Sequence, residues 1–143
     1  MKPWTALVAL ALLSSPAFSQ QSTTLDGMTI NLGVMPAEAA LRVDGHREAH
    51  PQNSPPGSQH LLITLADAKS GQPIGDAIVV MEITDPKGHA ERKPLLHTQA
   101  AGLPDYSELF IFPWSGRYSV RVTITLQSGA KPTQARFTLN HSI

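Results

Sequence analysis

Tyr118-Ser119-Val120-Arg121-Val122-Thr123-Ile124-Thr125-Leu126 alternates without a break, with an apolar or aromatic residue at every even position and a polar one at every odd position. Side chains of a β-strand point to opposite faces with period two, so this run describes a strand with one dry and one wet face. A strand of a parallel sheet is covered on both faces and reads as a continuous apolar run. The alternation therefore predicts an antiparallel sheet.

Shorter runs of the same kind recur between turn signals, and the pattern predicts strands at Met28–Val34, His60–Leu65, Ala77–Ile83, Lys93–Thr98, Glu108–Phe112, Arg117–Leu126 and Ala135–Asn140. Lys69-Ser70-Gly71-Gln72-Pro73, Asp85-Pro86-Lys87-Gly88, Trp114-Ser115-Gly116 and Gln127-Ser128-Gly129-Ala130-Lys131-Pro132 separate them, each with Gly, Pro or Asp where a turn needs it. Asp85-Pro86-Lys87-Gly88 fits a type I turn. The only competing helical stretch is a turn or two at Pro36–Leu41, with Pro36 at the first helical position. The expected fold is all-β, an immunoglobulin-like antiparallel β-sandwich of about seven strands. Asp44–Gly57 holds Gly, Pro, Asn, Ser and two His and nothing apolar larger than Ala, so it is expected to be a long loop, either a connection or a binding element.

The chain opens like an export signal. Lys2 supplies a positive n-region, Thr5–Leu13 an apolar h-region, and Ala17-Phe18-Ser19 a small-x-small cleavage site before Gln20. The expected division is a signal peptide at 1–19, an N-terminal strand and long His-containing loop at 20–58, and the sandwich body at 59–143, the last two forming one domain. The h-region is too short to anchor the chain, so no membrane insertion is expected after cleavage, and the product is expected in the periplasm or secreted. With 11 Lys+Arg against 11 Asp+Glu, the chain has no basic excess to neutralise a phosphate backbone, and nucleic acid is excluded as an expected partner. There is no cysteine. That removes disulfides, thiol catalysis, iron–sulfur and cysteine–zinc sites and the thiolate-dependent blue-copper ligand set.

His60-Leu61-Leu62-Ile63-Thr64-Leu65-Ala66-Asp67-Ala68-Lys69-Ser70-Gly71-Gln72-Pro73-Ile74 with Asp76-Ala77, then Pro86-Lys87-Gly88, then Gly116-Arg117-Tyr118, together resemble the YtkA-like domain, a small exported immunoglobulin-type sandwich. The resemblance spans about Gln59–Leu139 and leaves Met28–Gly57 outside it. It implies the same sandwich, and a setting in metal handling or respiratory-complex assembly in the cell envelope. In this reading Asp67 and Lys69-Ser70-Gly71 make a hairpin-type turn, and the Tyr118 hydroxyl reaches backbone at the edge of a buried face.

The candidate chemistry lies in histidine and methionine. His46-Arg47-Glu48-Ala49-His50 spaces two imidazoles i, i+4, and His60, His89, His97 and His141 complete the six histidines. In an exported chain without cysteine these, with methionine, are the groups that suit copper, imidazole for Cu(II) and thioether for Cu(I). The candidate metal ligands are His46, His50, His60, His141 and Met35. Solvated or structural histidines are the competing reading of each, and for His141 a frayed C-terminus. Met28 and Met81 alternate with core residues and are expected in the core. Trp114, at a turn, is either core or a partly exposed indole open to a partner or a cation. Asp105 and Glu108 are expected at a loop tip.

No Gly-x-Ser-x-Gly elbow, His-Glu-x-x-His helix, phosphate-binding loop or close carboxylate pair is present, so no enzyme is expected. The sequence supports two functions. One is an exported accessory protein that binds a transition metal such as copper. The other is a metal-free domain that holds an envelope protein partner at a sheet edge or the Trp114 rim.

Overall fold

The computed structural model describes residues 19–37, 55–100, 102–129 and 131–143. These form β1 (Ser19–Leu25), β2 (Met28–Pro36), β3 (Ser58–Asp67), β4 (Ala77–Thr84), β5 (Ala90–Pro94), β6 (Leu96–Ala100), β7 (Leu103–Ile111), β8 (Gly116–Leu126) and β9 (Thr133–His141). One sheet has the order β1-β2-β3-β7-β6 and the other β5-β4-β8-β9, and every pairing is antiparallel. The chain is a β-sandwich.

The alternating run is the interior face of β8. Tyr118, Val120, Val122 and Ile124 are buried with Val79, Met81 and Ile83 of β4, and they meet Ile30, Leu32, Leu61, Ile63, Leu65, Tyr106 and Phe110 of the other sheet. Met28 and Met81 both belong to this core, 3% and 0% exposed. Pooled apolar burial is the main stabilising term for such a chain, at about 25 cal/mol per Å2.

Among the described residues nine strands replace the expected seven, for two reasons. β1 was not anticipated, because Gln20-Gln21-Ser22-Thr23-Thr24 carries no apolar alternation. It is an edge strand joined to β2 by Asp26-Gly27, where both residues take positive φ (49° and 75°), the arrangement of a two-residue hairpin turn. The expected Lys93–Thr98 strand is two strands. The chain passes from one sheet to the other at Leu95, whose N–H donates to Val79 O (2.8 Å). β7 also begins earlier than expected, so Asp105 and Glu108 lie within a strand and not at a loop tip.

The turns form as their residues dictate. Gly88 N donates to Asp85 O (3.0 Å), and Asp85 Oδ1 accepts from the N–H groups of Lys87 and His89. Asp67 Oδ1 accepts from Lys69 N and Ser70 N, and Gly71 N donates to Asp67 O. This second turn folds the chain back on the end of β3, with Ala66 bridged to Pro73, before it crosses to the other sheet as β4. Pro36 is the last residue of β2, and Ala37 after it is buried and helical, at the start of the expected helical turn; residues 38–41 lie outside the described residues, as do residues 1–18 of the expected leader.

Candidate metal centre

The registers bring one end of β1 (Ser19↔Val34), β2 (Pro36↔Gln59), β3 and β7 (Ser58↔Ile111), β4 (Thr84↔Ser119) and β8 and β9 (Gly116↔His141) to a single rim of the sandwich. Met35, His60 and His141 all sit at this end. The strand pleat then decides which of them face one another.

Leu61, Ile63 and Leu65 point between the sheets, so Ser58 and His60, of opposite parity, stand on the outward face of the five-stranded sheet. Met35 is directly opposite His60 in the β2–β3 register and shares that face. Directly opposite residues of an antiparallel pair hold their Cβ atoms about 5 Å apart. Leu109 of β7 continues the same row on the other side of His60. His60 is 0% exposed and Met35 half-buried, so this stretch of the face is sheltered from solvent.

Buried polar groups continue along this face. Ser58, Asp105 and Ser107 are all less than a tenth exposed. Thr98 of β6 donates its hydroxyl to Asp105 Oδ1 and lies 3.5 Å from Ser107 Oγ. Sequence reasoning missed Asp105 and Ser107. The available signal was their parity with Leu103 and Leu109 along one strand, which was hidden because β7 was started too late.

His141 is at the same rim but on the interior side. Its ring meets Phe112 edge-on at 5.3 Å and Tyr118 at 6.1 Å, and Phe112 stacks on Tyr118 at 4.2 Å. Burial against these rings disfavours its charged form and lowers its pKa. The sheet therefore separates His141 from the Met35–His60 row. His46 and His50 lie outside the described residues. His89 is exposed, with Nδ1 3.2 Å from Asp85 Oδ2, and His97 is exposed on β6 with its ring edge-on to Tyr106 at 5.3 Å. Among the described residues, no three His, Cys, Asp or Glu side chains gather as a metal-binding group. The thioether–imidazole pair is what the fold brings together.

Trp114 is 39% exposed at this rim, with Lys87 Nζ 3.4 Å from its ring centroid, so the partly exposed reading holds and the cation is the chain's own lysine. Its backbone is held by Tyr118. Trp114 N donates to the Tyr118 hydroxyl (3.1 Å), which donates to Trp114 O (2.8 Å).

The class to which these strands belong is an all-β sandwich with the rim just described. Solved proteins of the same shape include a DUF4426 family protein from Pseudomonas aeruginosa, with a TM-score of 0.69 and 10% identity over 85% of this chain and 94% of that one. Copper-reconstituted P19 from Campylobacter jejuni matches with a TM-score of 0.69 and 12% identity over 87% and 97%. FetP of a uropathogenic Escherichia coli strain matches with a TM-score of 0.65 and 14% identity over 87% and 95%. No family model matches the chain, and neither does any curated protein. What is shared with the solved structures is the fold.

Proposed function

We propose that this chain is an exported accessory protein that binds a transition metal, copper first, and carries it without catalysing a reaction. The observation that carries the reading is the β2–β3 register, which sets the Met35 thioether directly opposite the His60 imidazole on one face. The donor set fits. Thioether and imidazole are the copper ligands left to a chain without cysteine, and the thioether favours Cu(I). Two donors on adjacent strands suit a cargo ion that must later be released, since each further ligand slows release. P19 and FetP have both been crystallised with copper, and their sandwich shape supports the reading. The leader residues Lys2, Thr5–Leu13 and Ala17-Phe18-Ser19 support export to the periplasm or beyond, and the resemblance to the YtkA-like domain fits an envelope setting.

The test starts from the whole coding sequence, expressed in a Gram-negative host and purified from the periplasmic fraction. The expected product begins at Gln20, and retention of Met1 on a cytoplasmic product overturns the export reading. That product is titrated with Cu(I) and Cu(II) under chelator competition. Met35→Leu keeps volume and removes the thioether donor, so it should weaken Cu(I) by at least about tenfold with the fold intact. His60→Gln should do the same, and a His46→Ala/His50→Ala variant asks whether those two histidines contribute. Non-saturating binding indifferent to Met35→Leu and His60→Gln refutes this site. A metal-free domain that holds an envelope partner would then be the better reading.

A further inference from the structure

Among the described residues the sandwich has four edge strands, and three of them are closed or guarded. β1 and β9 are tied across the gap between the sheets, Gln21 Nε2 donating to Thr138 O (2.7 Å) and Thr133 Oγ1 to Asp26 Oδ2 (2.7 Å). β5 is Ala90-Glu91-Arg92-Lys93-Pro94, whose charges and terminal proline are the ordinary defences of an edge. β6, Leu96-His97-Thr98-Gln99-Ala100, has no charged residue, no proline and no bulge, and Leu96, His97 and Gln99 are exposed.

The register to β7 fixes which backbone groups β6 offers. Gln99 stands opposite Pro104, which has no N–H, so this pair cannot exchange two ladder hydrogen bonds. In an antiparallel ladder the two kinds of pair alternate. His97↔Tyr106 is therefore also a non-bonded pair, and the N–H and C=O groups of His97 and Gln99 point away from β7 to the free edge.

We infer that β6 pairs with β6 of a second copy of this chain about a two-fold axis through Thr98, joining two five-stranded sheets into one. In that register His97 lies opposite the partner's Gln99 and Gln99 opposite the partner's His97, so all four outward groups on each edge find partners. Thr98 faces the partner's Thr98 in the close, non-bonded position, where threonine pairs are favourable. The segment has no Lys, Arg, Asp or Glu to set against its own copy across the axis, and the interface is isologous, as closed dimers require. A five-residue strand pair buries less than the roughly 1,200 Å2 of a standard stable interface, which makes the dimer weak and concentration-dependent. The inference stands apart from metal binding.

Sedimentation velocity of the metal-free protein purified after export, over a concentration series, should show the mass-average coefficient rising from monomer to dimer. Amide exchange at the high end should slow at least about tenfold at His97 and Gln99 relative to the dilute sample. Gln99→Pro removes an outward N–H that β7 does not use, and Gln99→Lys keeps the backbone but sets like charges diagonally across the axis. Both should stay monomeric at every concentration, and the lysine variant decides the matter if the proline variant does not fold. A wild-type protein that remains monomeric, or a dimer that survives Gln99→Lys with no added protection at His97 and Gln99, overturns the inference.

Discussion

Tyr118→Phe isolates the contribution of one hydroxyl to the rim. The ring is retained, and with it the stack on Phe112 at 4.2 Å and 13° between planes, so packing in the core should not change. Two hydrogen bonds are lost, from Trp114 N at 3.1 Å and to Trp114 O at 2.8 Å. Each is worth about 1 kcal/mol net of exchange with water, which gives about 2 kcal/mol for the pair. At roughly 4 °C per kcal/mol for a domain of this size, the melting temperature should fall by about 8 °C. The assay is favourable. The chain has two tryptophans, Trp4 and Trp114, and a protein produced from Gln20 onward keeps only Trp114, so urea unfolding followed by its fluorescence reports on the turn that Tyr118 holds. Tyr106→Phe is the matched control, since that hydroxyl makes the same clamp, accepting from Ala77 N and donating to Ile74 O, both at 3.1 Å. A Tyr118→Phe loss within about 0.5 kcal/mol of zero, the range of an ordinary surface substitution, would refute the reasoning.

Two further outcomes follow from the same rim. His141 has its pKa lowered by burial. Above the ordinary imidazole range it is neutral in both states and contributes nothing. As pH falls through that range the unfolded chain takes the proton first, so stability declines, and the loss is complete below the folded pKa. Melting temperatures between pH 8 and about 5 should show this decline, and His141→Gln should flatten it; an unchanged slope removes His141 as the cause. Gly116→Ala places a Cβ 2.9 Å from Pro86 Cγ at a φ of +137°, so it should cost at least about 2 kcal/mol by urea unfolding. A near-neutral result would show that the Pro86 turn yields.

The sandwich was legible because its central strands obey period two. β8 is read almost residue for residue from Tyr118 to Leu126, and β2, β3, β4 and β9 each extend a predicted strand by one to four residues. The failures have a common cause, which is that edge strands are held by backbone more than by apolar faces. β1 is Gln, Ser and Thr up to its last residue, Leu25, and only its Asp26-Gly27 turn could have announced it. β5 and β6 read as one strand because nothing in Lys93-Pro94-Leu95-Leu96 says that the chain changes sheets at Leu95. For the candidate site, the sequence puts Met35 at a strand exit and His60 and His141 at strand ends, but it does not say which strands are neighbours. The register sets Met35 opposite His60, whereas His141 shares the parity of Phe137 and Leu139 and faces inward.

Residues on the opposite face of the sheet hold the Met35–His60 pair in register. Met28, Ile30, Leu32 and Val34 face the interior of β2, and their partners in the ladder are Asp67, Leu65, Ile63 and Leu61. A slip of one residue between the strands would turn one strand's apolar row out to solvent, which burial forbids. A slip of two would keep both rows inside but move Met35 to a diagonal from His60, about 7 Å away, and leave Ile30, Leu32 and Val34 against the wrong neighbours in a close-packed core. The distance between the two donors is thus fixed by hydrophobic packing on the opposite side of the sheet. Conservative exchange of Met35 or His60 leaves that packing intact, and core substitutions that shift the ladder would loosen the pair without touching it. In a chain without a disulfide, the register of the two strands is thus what sets Met35 opposite His60.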